Sequence, residues 1–266
     1  MTMASCGLDI HTVRVRWLPI DREILAHLPR WRAMLDSEEV ARADRLHFSE
    51  DRNTFIAAHA LARAMLSEVD GLPTVTWHYI TGPFGKPAIA PGCGDRGLSF
   101  NISHTRGLAA CAVTCEDPVG LDVEASDRLT ALDIASRYFA ADELNTILDA
   151  EPEKRRGLFF RFWTLKEAFI KATGEGLSRP LDSFAFSLDP IRIAFHTQPP
   201  TVTRGNDPTD WQFVECNPQP HRQLALALCR PRSRPMRLDA RAMRPEEVAP
   251  IIATRPDHVS LDDNLK

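Results

Sequence analysis

The chain of 266 residues is long enough for one large or two small domains with cores of their own. Its 44% hydrophobic and 26% charged residues are ordinary for a globular protein, so folding needs neither disulfides nor a structural metal. A net charge of −4 gives no global pull toward nucleic acid, and no apolar run reaches the length of a membrane span.

Loose alternation of Ile10, Val13, Val15 and Trp17 predicts a first strand over 8–18. A helix over 21–35, interrupted near Pro29, follows. Asp36 then caps a helix with Glu38 and Glu39 in its first turn, Val40, Ala43 and Leu46 on one side, and Arg42 and Arg45 along it. The apolar stripe Phe55, Ala58, Leu61, Ala62, Met65 and Leu66 predicts a long helix over 49–69, stopped by Gly71. A strand over 75–80 leads into a loop rich in glycine and proline, Thr81-Gly-Pro-Phe-Gly-Lys-Pro87. Strands are expected over 98–102, 107–114 and 119–124. The turn at Asp117-Pro118 suggests that 107–124 is an antiparallel hairpin.

The second half repeats the plan. Helices are expected over 129–138, from Ala140 onward, and over 157–173, the last ended by Gly174 and Gly176. Strands follow over 184–188, 191–195, 211–216 and 224–229, and then an arginine- and proline-rich extension with one helix near 246–252. Each half has a long helix closed by glycine and leucine, which points to an internal duplication. The expected division is 1–116, 117–230 and an extension over 231–266, partly disordered.

None of the six cysteines forms a C-x-x-C pair or a zinc pattern, and Cys111 and Cys115 read as buried thiols. This spread suits a reducing compartment. With no apolar leader in residues 1–15, a cytoplasmic protein is expected.

Four stretches carry chemistry. In a strand over 119–124, Asp122 and Glu124 are two apart and share a face, while Val119, Leu121 and Val123 point into a core. Adjacent carboxylates repel unless a cation sits between them, and a hard divalent cation suits oxygen ligands; a solvated strand face is the plainer reading. On the helix Trp163-Thr-Leu-Lys-Glu-Ala-Phe-Ile-Lys171, Glu167 and Lys171 are four apart and share a face. Together they would make an ordinary surface ion pair. In this aromatic-rich segment Glu167 could instead add a third carboxylate and Lys171 could neutralise a phosphate. Phe100-Asn-Ile-Ser-His-Thr105 sets His104 beside two hydroxyls, suited to a phosphate or simply to a turn. Gly82-Pro-Phe-Gly-Lys-Pro87 offers a glycine–lysine pair, but Pro87 and the short glycine spacing exclude a P-loop. This inventory fits a metal-bound pyrophosphate ligand, and no Ser-His-Asp or Cys-His pattern competes.

The order Gly85-Lys-Pro87, Phe100-Asn-Ile-Ser-His104, Val119-Gly-Leu-Asp-Val-Glu124 and Trp163-Thr-Leu-Lys-Glu167 with Lys171 resembles the 4′-phosphopantetheinyl transferases. The length and the segments Gly174-Glu-Gly-Leu177 and Pro180-Leu-Asp-Ser-Phe184 resemble the two-domain, Sfp-type branch rather than the short trimeric synthases. The likeness runs from about residue 37 to 188.

It implies an α+β, pseudo-twofold monomer with its site in the cleft between two similar halves. It further implies transfer of the phosphopantetheine arm of coenzyme A to a serine of an apo acyl or peptidyl carrier, with 3′,5′-ADP leaving. Carriers of fatty-acid, polyketide and nonribosomal-peptide synthesis all fit. By the resemblance, Asp122, Glu124 and Glu167 hold Mg²⁺ or Mn²⁺, Glu167 is a candidate base, and Lys171 contacts phosphates. Asn101 lies in the motif that places Ser103 and His104 against coenzyme A, His104 at the 3′-phosphate. Thr81, Gly82, Phe84, Gly85 and Lys86 line the adenine side, and Arg42 falls where the family places a phosphate-binding arginine. Neither nucleic acid nor membrane is expected as a partner. The rival readings are a non-catalytic coenzyme A- or carrier-binding module and a metal-dependent hydrolase of nucleotides or phosphodiesters.

Overall fold

The computed structural model describes residues 7–94, 97–127, 133–196 and 205–251. The first strand, β1 (Thr12–Pro19), starts later than expected because Thr12 N–H closes a turn on Asp9 O. The expected 21–35 helix is two pieces, a 3-10 turn at Arg22–Ala26 and α1 (Leu28–Arg32). Pro29 sits in the first turn of α1, where its missing N–H breaks no helical bond. α2 (Ser37–Asp44) opens with a capping box: Asp36 accepts from the N–H groups of Glu38 and Glu39, and the Glu39 carboxylate accepts from Asp36 N–H. α3 (Ser49–Asp70) ends at Gly71, whose φ of 77° only glycine adopts without strain.

The strand expected over 75–80 is mostly absent. Thr74–Thr76 form a 3-10 turn after Pro73, and Trp77 is buried with its indole N–H on Ser67 Oγ at 2.7 Å. Only Tyr79 onward extends, so that β2 (Tyr79–Thr81) and β3 (Pro87–Ile89) make a small hairpin whose turn is the glycine–proline loop. β4 (Leu98–Thr105) and β5 (Leu108–Cys115) form the next hairpin, turning at Gly107, φ 85°.

β6 (Val119–Ala125) is not the partner of β5, contrary to the hairpin expected over 107–124. β5 pairs with β1 and β4, whereas β6 pairs with a later strand. The turn explains the parting: Glu116 takes φ 65° and Thr114 Oγ1 donates to Asp117 O, which sends the chain out of one sheet and into another. α4 (Asp133–Tyr138) covers the end of the expected 129–138 helix, the start of which lies outside the described residues. α5 (Ala141–Asp149), α6 (Pro152–Thr173), β7 (Phe184–Leu188), β8 (Ile191–Phe195), β9 (Trp211–Gln219) and β10 (Arg222–Cys229) follow as expected.

The extension holds a strand that the pattern did not reveal. β11 (Arg237–Ala242) pairs parallel with β1, its Asp239 joined to Arg14 and Arg16. The helix expected near 246–252 is a 3-10 turn at Pro245–Glu247. Arg230, at the start of the arginine-rich stretch, is fully buried against Asp117 at 2.5 Å.

The strand orders are β11-β1-β5-β4 and β6-β10-β9. Alternation along the strands assigns their faces. Val13, Val15, Leu108, Ala110 and Ala112 from one sheet meet Val119, Leu121, Val123, Leu224, Leu226 and Leu228 from the other in a core between the sheets. The opposite faces pack on helices, α3 on β4 and β5, and α6 on β6 and β10. The chain is thus an α+β protein in four layers, helix, sheet, sheet and helix. Each half lays a 22-residue helix, closed by a left-handed glycine, on its own sheet. Each buried Val or Leu in these layers contributes roughly 1.5–3 kcal/mol relative to exposure.

Candidate active site

On β6 the inter-sheet core takes Val119, Leu121 and Val123, so Gly120, Asp122 and Glu124 face α6. Gly120 permits the contact: a Cβ there would lie 2.0 Å from Ala168 O and 2.4 Å from Ala172 N. α6 therefore lies backbone-close on β6 and brings Glu167 and Lys171 over the two strand carboxylates.

Lys171 does not form the ordinary i,i+4 pair. Its Nζ donates to Asp122 Oδ1 at 2.6 Å and to Ser103 Oγ at 3.0 Å. Ser103 Oγ in turn donates to Asp122 Oδ1 at 3.1 Å and accepts from Val123 N–H at 3.2 Å. Asn101 Oδ1 accepts from Leu121 N–H at 2.8 Å. Two β4 side chains, two residues apart, thus take the N–H groups that β6 leaves unpaired by β10, and so stitch the halves together beside the carboxylates.

Glu167 is half-buried, and its carboxyl pKa is raised to about 7. Burial is the main cause; Asp122 and, more weakly, Glu124 add like charge, while Lys171 opposes them. Asp122 is 4% exposed, and its Oδ2 is buried with no hydrogen-bond partner. Among the described residues no group of three acidic, histidine or cysteine side chains is gathered tightly enough to hold a metal ion. The donor set nonetheless suits a hard divalent cation: three carboxylates feel one another, and one buried oxygen is unsatisfied.

A cavity of about 520 Å³ opens beside these groups, lined by Phe84, Gly85, Lys86, Asn101, Glu167, Lys171, Gly174 and Gly176 among others. Of the residues singled out from the sequence, Thr81, Gly82, Arg42, Ser103, His104, Asp122 and Glu124 lie outside its lining. Lys86 is not a free phosphate ligand: its Nζ donates to Val119 O at 3.1 Å and Ala172 O at 3.0 Å, and burial lowers its pKa to about 8. Thr81 ends β2, and Gly82 N–H closes the loop on Lys86 O at 2.9 Å.

Ser103 and His104 are neighbours on β4 and so point to opposite faces, Ser103 to Asp122 and His104 to the α3 side. His104 is exposed to solvent. The surrounding protein, and then Lys171, His59 and Arg42, lower its pKa, with Asp51 opposing. Arg42 is thereby placed near His104; its guanidinium lies over the Phe55 ring, 5.5 Å from the centroid. Arg42, His59 and Lys171 thus lie within electrostatic reach of His104, an arc of basic side chains beside the carboxylate of Asp51.

Three supports escaped the sequence reading. His59 stacks on Phe55 at 4.0 Å and bonds Glu39 at 2.6 Å, and its spacing from Phe55 on α3 was the available signal. Lys166, next to Glu167, is wholly buried with Glu143 at 2.8 Å and donates to Leu181 O and Phe184 O. Gly120 is the third. A larger cavity, about 890 Å³, lies one helical turn away by Trp163, Tyr138 and Leu181, and holds none of the predicted site residues.

The chain is similar in sequence to known proteins. Residues 118–229, which span β6 to β10, match the model of the 4′-phosphopantetheinyl transferase superfamily. The chain is 30% identical over 221 residues to the 4′-phosphopantetheinyl transferase HetI of Nostoc sp., covering 83% of this chain and 87% of that protein. It is 32% identical over 159 residues to the 4′-phosphopantetheinyl transferase Sfp of Bacillus subtilis, covering 60% and 69%. Likeness to the human L-aminoadipate-semialdehyde dehydrogenase-phosphopantetheinyl transferase is 28% over 242 residues, covering 85% and 74%. The four-layer fold, the acidic face of β6 under α6 and these matches make the chain an enzyme of the 4′-phosphopantetheinyl transferase superfamily, of the Sfp-like type.

Proposed function

We propose that the enzyme transfers 4′-phosphopantetheine from coenzyme A to a serine of an apo acyl or peptidyl carrier, releasing 3′,5′-ADP, with Mg²⁺ as its cation. The observation that carries this reading is the packing of α6 on β6, which sets Glu167 and Lys171 over Asp122 and Glu124 beside a cavity of about 520 Å³. The setting we infer is cytoplasmic and the working form a monomer.

Asp122, Glu124 and Glu167 are the residues that would hold the cation. When bound, it neutralises charge on the pyrophosphate and on the departing group. The remaining work falls to the chain. The cavity takes coenzyme A along Phe84, Gly85 and Asn101, and Lys86 fixes that loop to α6 through Ala172 O. The arc of Arg42, His59 and His104 suits the 3′-phosphate, and Lys171 the pyrophosphate. Glu167, with its pKa raised to about 7, suits a base that takes the serine proton near neutral pH, directly or through a water. The serine oxygen then forms a bond to the β-phosphorus, the bond to the bridging oxygen breaks, and 3′,5′-ADP leaves with the electron pair. Positioning and charge neutralisation suffice for such a transfer.

The test is incubation with coenzyme A, Mg²⁺ and an apo carrier. Transfer makes the carrier heavier by one phosphopantetheine arm, with one 3′,5′-ADP formed per carrier. Formation of 3′,5′-ADP without a carrier would mark a hydrolase, and binding of coenzyme A without turnover a non-catalytic module.

A further inference from the structure

We infer that Lys171 is a resident counter-ion that competes with the divalent cation for Asp122, so that the cation binds weakly until coenzyme A draws the lysine away. The inference rests on the metal reading above. Asp122 is 4% exposed, and a carboxylate so buried needs a positive partner. Lys171 is that partner, at 2.6 Å. Ser103 Oγ holds the same ammonium at 3.0 Å while donating to Asp122 Oδ1, so the lysine is anchored from two sides. The arrangement leaves Asp122 divided, with Oδ1 saturated and Oδ2 buried without a partner.

A divalent cation brought to this carboxylate meets the ammonium at close range, where like charges repel strongly in a half-buried site. The backbone of Lys171 cannot retreat. α6 rests on Gly120, where no Cβ fits, and Lys86 ties the carbonyl of the next residue, Ala172. Only the side chain can move. It is 29% exposed and lines the cavity shared with Lys86, so the ammonium can turn toward an anion placed there. A polyphosphate ligand in the cavity offers that anion. Cation and coenzyme A then bind cooperatively, and the coupling is reciprocal by linkage.

The experiment is Mn²⁺ titration of the protein without and with coenzyme A, followed by the paramagnetic resonance of free Mn²⁺. Wild type is compared with Lys171→Met, Lys171→Gln and Asp122→Asn, each checked for folding by circular dichroism. The expected result is that both lysine variants bind Mn²⁺ about tenfold or more tightly than wild type without coenzyme A. Coenzyme A should tighten Mn²⁺ binding to wild type by a similar factor and to the lysine variants far less. If Lys171→Met does not fold, Lys171→Gln carries the comparison. Equal Mn²⁺ affinity in wild type and a folded lysine variant without coenzyme A overturns the inference and leaves the metal reading standing. Failure of every protein to bind Mn²⁺, with or without coenzyme A, removes the metal site and the inference with it. Loss of binding in Asp122→Asn identifies the carboxylate; unchanged binding there also overturns the inference.

Discussion

Gly120 and Ala168 meet backbone to backbone: a Cβ on Gly120 would lie 2.0 Å from the Ala168 carbonyl oxygen. Neither backbone is the end of a flexible chain, so Gly120→Ala must push α6 off β6. Overpacking of this kind costs about 3 kcal/mol. The expected outcome is a lower urea midpoint together with a loss of transfer that exceeds the loss of folded protein, since the shift carries Glu167 and Lys171 away from Asp122. A variant with wild-type stability would show that the approach is looser than this geometry.

The Glu143–Lys166 pair is wholly buried at 2.8 Å, directly behind the helical turn that carries Glu167. Removing one partner strands the other. Glu143→Ala should cost about 3–5 kcal/mol, whereas replacing both by apolar residues of similar volume should recover most of that loss. A double-mutant cycle by denaturant unfolding measures the coupling.

Glu167 makes stability depend on pH in the absence of a divalent cation. Its pKa is raised from 4.5 to about 7 by burial and by Asp122. Between those values the native protein keeps a proton that the unfolded chain has lost. Stability therefore falls as pH rises through this window, and the deficit is complete above it. Glu167→Gln cannot ionise, so at about pH 8 it should be more stable than wild type by up to about 3 kcal/mol, the two curves converging below the lower pKa. Mg²⁺ should narrow the gap by stabilising wild type alone. Calorimetric melting across pH, with and without Mg²⁺, is the check.

His104 lies on the α3 face of β4, away from Asp122, near the basic side chains of Lys171, His59 and Arg42 and the carboxylate of Asp51. A phosphate contact there is remote from the reacting bond. His104→Ala should raise KM for coenzyme A about tenfold or more with a smaller change in kcat. An unchanged KM in steady-state kinetics would leave His104 a purely structural residue.

The sequence made the carboxylate face legible because β6 alternates strictly: Val119, Leu121 and Val123 fill a core, so Asp122 and Glu124 had to share the other side. Glu167 and Lys171 were legible by helical spacing and Gly71 and Gly174 as helix stops, since all of these are local. The partner of Lys171 was not local. Its ammonium reaches Asp122 because of how α6 lies on β6, which depends on Gly120 and on a tertiary contact that no periodicity encodes. The expected β5–β6 hairpin failed for a similar reason. A short turn between two apolar strands usually closes a hairpin, but Glu116 at φ 65° sends the chain across to the second sheet. β11 was hidden because its burial is slight and its residues, Arg-Leu-Asp-Ala-Arg-Ala, carry little apolar alternation; the parallel pairing with β1 holds it.

We propose that Asp122, Glu124 and Glu167 work together on a phosphopantetheine transfer. The most direct test is the mass of an apo carrier incubated with coenzyme A and Mg²⁺, using wild type and the Asp122→Ala, Glu124→Ala and Glu167→Ala variants. Wild type should add one phosphopantetheine arm to the carrier serine and release one 3′,5′-ADP, and each folded variant should lose at least about a hundredfold in rate, the range that lost charge stabilisation or a lost base accounts for. Wild-type-like transfer by all three variants, or 3′,5′-ADP formed with no carrier present, would contradict a joint role for these carboxylates in transfer to a carrier.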